Sequence, residues 1–269
     1  MFPTLNFGLF GLSTYTVILD LGLLAALAWL WVRAPDRGRE PIRWLDAGLS
    51  AIAGGIIGGR FAFAFANWAY FQNHFLEIFR LWEGGYAWIG AVIGGVIGLF
   101  IFCRITKEPL LSLLDELSLT APLLSALGWL GCVAANCAAG QAVPPGTLPF
   151  AVNWPDLYGV VLPRWPTQLI GLGLSLIAGG YLVSQRSAQW PKGFRFAFAI
   201  MLMALITFLV STVRGDDMPV WSGWRLDSIA NAVMVLLSLI ALGAMWALVP
   251  AKQTKLRASE NTEITETSK

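Results

Sequence analysis

The chain holds one histidine, His74, and three cysteines, Cys103, Cys132 and Cys137, in 269 residues. A single imidazole excludes a multi-histidine metal site within one subunit. The cysteine spacing matches neither a zinc site nor a disulfide framework, so Cys132 and Cys137 are read as small buried hydrophobes, with a redox pair as the alternative. Charge is scarce as well, Asp, Glu, Lys and Arg together making up 13% of the chain. There is no basic stripe to follow a nucleic-acid backbone and no strand, glycine loop and helix unit to cradle a nucleotide phosphate. The net charge of +2 says little about soluble partners; the positive charge is expected to face an anionic membrane leaflet.

Long apolar runs are abundant. Residues 12–32, 46–67, 85–103, 112–136, 166–184, 196–213 and 226–249 are each long and apolar enough to cross a bilayer, which takes about 20 residues of helix. With a mean hydropathy of +0.65, little chain is left over for a soluble domain. The reading is an all-α integral membrane protein with seven transmembrane helices in one domain, residues 1–250.

Basic residues in short loops hold those loops on the cytoplasmic side. Loops 33–45, 104–111 and 185–195 and the tail after 249 hold Arg33, Arg37, Arg39, Arg43, Arg104, Lys107, Arg186, Lys192, Arg195, Lys252, Lys255, Arg257 and Lys269. Arg80, Arg164, Arg214 and Arg225 fall on the other side. The N-terminus is thus expected outside and the C-terminus inside, which requires an odd number of crossings. Met1 to Leu12 carries no basic residue and no small-residue cleavage pattern and does not read as a cleaved signal peptide. Residues 251–269 are polar and read as a disordered cytoplasmic tail. Tryptophans near the span ends (Trp29, Trp31, Trp44, Trp190 and Trp246 inside; Trp68, Trp82, Trp154, Trp221 and Trp224 outside) fit an interfacial aromatic belt.

Ionisable groups at membrane depth are functional candidates. Arg60 follows Gly54-Gly55-Ile56-Ile57-Gly58-Gly59 in the second span; its guanidinium suits a bidentate phosphate clamp or a structural pair with an acid such as Asp20. Tyr15 lies nearer the outer surface of the first span than Asp20. Asp46 and Asp227 read as span-end charges. Asp115 and Glu116, being adjacent, point about 100° apart on a helix and read as interfacial rather than as a facing pair. The longest outer loop, 137–165, leads into Leu162-Pro163-Arg164-Trp165-Pro166-Thr167-Gln168-Leu169. Pro166 suits a helix start, which would leave Arg164 and Gln168 facing the outer headgroup layer. Gly90-Ala91-Val92-Ile93-Gly94 in the third span has the small-residue spacing of close helix packing.

Taken together, Tyr15, Gly58-Gly59-Arg60, Phe79-Arg80-Leu81-Trp82-Glu83-Gly84-Gly85, Gly90 to Gly94 and Leu162 to Leu169 resemble the prolipoprotein diacylglyceryl transferase family, over most of residues 10–245. The resemblance implies a seven-span enzyme of the bacterial cytoplasmic (inner) membrane, acting as a monomer without metal or organic cofactor. It would move the diacylglyceryl group of phosphatidylglycerol onto the lipobox cysteine thiol of a preprolipoprotein, releasing glycerol phosphate. Arg60, Arg164, Gln168 and Arg214 would serve substrate binding, with Gly59, Gly131 and Gly140 as close-approach positions and Tyr15 as a polar group at the reacting centre.

The departures are concentrated in the fourth span. The family pattern Gly-Arg-x-Gly-Asn-Phe-x-Asn-x-Glu-x-x-Gly stands here as Gly128-Trp129-Leu130-Gly131-Cys132-Val133-Ala134-Ala135-Asn136-Cys137-Ala138-Ala139-Gly140. Trp129 thus stands where the family has a phospholipid-binding arginine, and Ile89 and Trp165 stand where it has histidines. Late in the sixth span, Thr207 and Ser211 replace an arginine and a glutamate. An indole cannot make the bidentate contacts of a guanidinium. A non-catalytic lipid-binding paralogue is therefore the alternative reading. A small transporter using Asp20 and Arg60 is weaker, since no internal repeat is evident. The general base is unassigned, His74 reading as a solvated loop residue.

Overall fold

The computed structural model describes residues 4–7, 10–146, 149–185 and 190–267. Arg186, Lys269 and part of the Met1 to Leu12 segment, used above, lie outside the described residues. A short antiparallel hairpin, β1 (Thr4–Phe7) with β2 (Phe10–Ser13), leads into α1 (Thr14–Asp36). There follow α2 (Pro41–Ala66), the single turn α3 (Trp68–Phe71), two 3-10 turns at Phe75–Phe79 and Leu81–Glu83, and α4 (Trp88–Thr106). Next come α5 (Leu110–Leu117), α6 (Thr120–Ala135), the hairpin β3 (Val152–Pro155) and β4 (Val161–Arg164), α7 (Thr167–Ser184) and α8 (Phe194–Ser211). A two-residue ribbon, β5 (Val220–Trp221) with β6 (Trp224–Arg225), precedes α9 (Leu226–Thr267).

Among the described residues six helices, α1, α2, α4, α7, α8 and residues Leu226–Ala247 of α9, are long and apolar enough to span a membrane. The expected span 112–136 is not one straight helix: α5 and α6 meet at a 40° bend and make a seventh crossing only as a pair. Pro122 explains the break. It lacks the N–H that would reach the Ser118 carbonyl four residues back, and its ring crowds that position. At the same turn the Ser118 hydroxyl donates to the Asp115 carbonyl at 2.6 Å. The helix of α9 runs on to Thr267 through the segment expected to be disordered. After Pro250 that segment has neither glycine nor proline and several helix formers, so local propensity favours helix where composition gives no apolar stripe to pack.

Outward-facing positions such as Leu21, Val32, Phe65, Ile177 and Leu236 are exposed, as lipid contact requires. Between helices in lipid, association depends on close packing rather than on water exclusion, and α2 against α4 shows this plainly. A Cβ at Gly58 would fall 2.7 Å from the Gly94 Cα, and one at Gly94 would fall 2.8 Å from the Gly58 Cα. At the arginine-rich end Leu30, Ala34, Trp44, Leu99 and Leu113 form one core cluster. Trp44, expected in an aromatic belt, is only 1% exposed, because the start of α2 tucks beneath the end of α1. The buried Glu116 there pairs with Arg33 at 3.5 Å and with Arg37, and Glu108 pairs with Arg39 at 3.3 Å and Arg43 at 3.6 Å.

Candidate functional site

At the opposite end, α6 stops because Asn136 takes the left-handed conformation (φ 59°), followed by Ala138 at φ 53°. This reversal brings Cys137 back beside Cys132, and the two are joined in a disulfide across a Cα separation of 4.6 Å. The reading of these cysteines as unlinked buried hydrophobes is thereby corrected. Residues 132 and 137 would lie about 140° apart on a continuous helix at 3.6 residues per turn, and it is the helix stop that lets them meet.

Past the disulfide, the chain runs extended between two neighbours. The Gln141 N–H donates to the Val213 carbonyl and the Gly215 N–H to the Ala139 carbonyl, both at 2.9 Å. On its other side the Trp165 N–H donates to the Gln141 carbonyl at 3.2 Å. Gly140 bridges to Arg214, and Ala142 to Arg164. Three of the expected site residues, Gly140, Arg164 and Arg214, are therefore assembled around one segment. A side chain at Gly140 would collide with the Trp165 backbone, which accounts for glycine there.

The two arginines are committed to carboxylates. Arg164, 9% exposed, pairs through Nη2 with Asp156 at 2.7 Å and donates through Nη1 to the Gly140 carbonyl at 3.3 Å, while its buried Nε has no hydrogen-bond partner among the described residues. Arg214 donates through Nε to Asp216 at 2.9 Å and lies 3.6 Å from Asp227. Arg225 pairs with the same two acids, at 3.2 Å and 3.1 Å. Burial pushes the Asp216 carboxyl up, but its bonds to Arg214 and the charge of Arg225 outweigh this and hold it below the usual carboxylate range. Gln168, expected to face the headgroup layer, is instead buried: its amide donates to the Cys137 carbonyl at 2.9 Å. Thr167 beside it donates to the Ala138 carbonyl at 2.6 Å. Both anchor the end of α6 to the start of α7.

Tyr15 is partly buried, its ring against Gly131, where a Cβ would come within 2.7 Å of Cδ2. Its hydroxyl makes no hydrogen bond among the described residues. Trp129 is buried in a cluster with Ala138, Ala178, Met203, Ile206 and Val210, and Trp88 packs on it. The indole lies over Gly171, where a Cβ would meet Nε1 at 2.7 Å.

Arg60 stands apart from this assembly. It is 3% exposed, and Nε donates to the Ile78 carbonyl at 3.0 Å while the two Nη atoms donate to the carbonyls of Gly84 and Glu77. Its guanidinium also lies 5.4 Å from the Phe71 ring centre. Arg60 thus faces a ring of carbonyl oxygens, and the alternative structural pair with Asp20 is not formed, Asp20 being exposed with no ion pair among the described residues. Gly59 lets α4 approach, with Ala91 Cβ at 3.3 Å from an added Cβ. His74 is exposed and stacks on Tyr70 at 4.3 Å. Asp115 accepts the N–H groups of Gly193 and Phe196 at 2.7 and 3.2 Å, holding the start of α8.

Sequence reasoning missed Asp156 and Asp216, and held the Cys132 and Cys137 pairing only as the alternative. The Asp156 to Gly159 turn carried a signal, since an Asp ahead of a glycine marks a side-chain-capped turn; Asp156 Oδ1 accepts from the Tyr158 and Val160 N–H groups at 2.9 and 3.0 Å. Among the described residues no cluster of three or more His, Cys, Asp or Glu could hold a metal ion. What remains is a cluster of arginine and carboxylate pairs around residues 139–142, at one end of a helical bundle.

Fold and site together define a multi-pass helical membrane protein with arginines held at one end of the bundle. The model of the prolipoprotein diacylglyceryl transferase family matches residues 4–247, and the chain belongs to that family. It is similar to the phosphatidylglycerol–prolipoprotein diacylglyceryl transferase of Symbiobacterium thermophilum, 28% identical over 231 residues that cover 84% of this chain and 85% of the relative. It is also similar to the protein of that name from Nitrobacter hamburgensis, 30% identical over 240 residues covering 83% and 81%.

Proposed function

We propose that the protein is a transferase that moves the diacylglyceryl group of phosphatidylglycerol to a cysteine thiol of a prolipoprotein. The family match supports this activity, and the observation that carries it to particular residues is the convergence of Gly140, Arg164 and Arg214 at the end of α6. In the reaction the cysteine sulfur bonds to the glycerol carbon, the carbon–oxygen bond to phosphate breaks with its electron pair leaving on the phosphate oxygen, and the thiol proton ends on the released glycerol phosphate. Arg164 and Arg214 stabilise the departing phosphate charge by exchanging Asp156 or Asp216 for phosphate oxygens. The same positive field favours the thiolate. Tyr15, its ring packed on Gly131 and its hydroxyl without a partner in the described residues, is the polar group assigned to the reacting centre. Arg60 shapes the outer loop instead of holding the headgroup.

In this reading the protein works as a monomer in the bacterial inner membrane, with the Arg164 end outside and the Arg33 to Arg43 end in the cytoplasm. The commitment of all three arginines Arg60, Arg164 and Arg214 to internal acceptors favours a second reading, a lipid-binding paralogue without catalysis. Complementation of a transferase-depletion strain separates them. The enzyme reading expects growth with the wild type and loss with Arg164→Ala; no rescue by well-expressed wild type supports the paralogue.

A further inference from the structure

Some 18 residues of α8 separate the Arg214 end from its start, roughly 27 Å at 1.5 Å per residue, and at that far end lies a polar cavity of about 380 Å³. Arg37, Arg39, Trp44, Ser112, Lys192 and Arg195 contribute to its walls, from the ends of α1, α2, α5 and α8.

Its chemistry is one-sided. Trp44 is buried, and its indole N–H has no hydrogen-bond partner among the described residues. The Ser112 hydroxyl and the exposed Lys192 ammonium likewise make no hydrogen bond or ion pair among the described residues. A buried donor lacking an acceptor calls for an explanation such as a bound ligand. The two acids that also line the cavity are already engaged: Asp115 by the Gly193 and Phe196 N–H groups, Glu116 by Arg33 and by Arg37 of the cavity wall. The Lys192 ammonium, the Trp44 N–H and the Ser112 hydroxyl therefore converge with no acceptor among the described residues, beside Arg37, Arg39 and Arg195, which pair with Glu116, Glu108 and the Gln185 carbonyl and add positive charge to the same walls. The complement is a multivalent oxyanion, since a phosphate presents acceptor oxygens in several directions to both charged and neutral donors.

We propose that this cavity is a phosphate-binding site, distinct from the Arg164 and Arg214 assembly, which takes either the phosphate of an anionic phospholipid headgroup or free phosphate. Its occupant adds a tie between the ends of four helices, beside the Glu116 and Glu108 ion pairs and the Asp115 hydrogen bonds to the start of α8.

The test uses the full-length protein in non-ionic detergent, with short-chain phosphatidic acid as probe and diacylglycerol of equal chain length as the phosphate-free control, read by native mass spectrometry. Lys192→Gln, at an exposed position that folding does not need, is expected to weaken phosphatidic acid retention about tenfold, the loss of one charge-assisted contact. Trp44→Phe, which removes only the N–H and one ring edge, should weaken it about fivefold. Diacylglycerol retention should not change. Addition of inorganic phosphate distinguishes the sources: displacement of the lipid shows that free phosphate occupies the site, and persistence of the lipid shows that the headgroup form is required. Phosphatidic acid retention equal to wild type in Lys192→Gln would overturn the proposal, whatever the fate of Trp44→Phe.

Discussion

Gly131 and Trp129 sit two residues apart on α6 and depend on their neighbours in opposite ways. At Gly131 the Tyr15 ring occupies the space of a side chain, so Gly131→Ala forces either the ring or α1 to shift. The expected cost is about 1–3 kcal/mol, typical of overpacking, seen as a lower midpoint of thermal unfolding in detergent, together with a fall in transfer activity because Tyr15 is displaced. Trp129 fills a core with Ala178, Met203 and Val210 and lies on Gly171. Restoring the family's arginine by Trp129→Arg would leave a guanidinium buried among apolar side chains. The prediction is a loss of about 3–5 kcal/mol, as for an uncompensated buried charge, with no gain in transfer rate; a faster, equally stable variant would show that the cavity supplies a partner. Arg60 teaches a related point. Its acceptors are backbone carbonyls of the loop between α2 and α4, which leave no trace in the sequence, so these bonds could not be read from spacing.

Pairs of helices carry the next level. The α2 and α4 backbones touch at Gly54, Gly58, Gly94 and Gly98, so Gly58→Leu or Gly94→Leu should prevent that approach. Neither variant should yield a monodisperse folded protein on size exclusion, whereas Gly180→Leu, at a helical glycine facing open space, should behave as wild type. The connection from α8 to α9 is held by Arg214, Asp216, Arg225 and Asp227. Because Asp216 is held below the usual carboxylate range, its pairing stabilises the fold fully above the unfolded aspartate pKa of about 4. That contribution is lost as pH falls through the depressed folded value. Thermal midpoints of wild type and Asp216→Asn should therefore converge as pH is lowered from 7 towards 3; a constant difference would place the effect in packing rather than in charge.

Across the whole molecule, the crossings were legible because lipid leaves so few alternatives to a long apolar helix. The bend before α6 was legible in principle from Ser118 and Pro122. The site was only partly so. Gly140, Arg164 and Arg214 were singled out, but the carboxylates facing the arginines depend on the register of β3 with β4 and on a loop turn, neither of which is coded by spacing. The disulfide depends on one left-handed residue, Asn136. Orientation is a separate test: cysteine-accessibility labelling should find positions in 137–165 reactive from outside and positions in 34–42 only after the membrane is opened, as the distribution of basic residues requires. The central claim is diacylglyceryl transfer at the Arg164 and Arg214 end, and the most direct measurement is mass spectrometry of a lipobox peptide incubated with the protein in phosphatidylglycerol vesicles. The account predicts a diacylglyceryl thioether on the peptide cysteine with the wild type and at least about a hundredfold less with Arg164→Ala or Arg214→Ala, as for loss of an electrostatic donor to a leaving group. No thioether from the wild type, under conditions where a relative with the complete fourth-span pattern forms it, would contradict that claim and leave lipid binding without transfer.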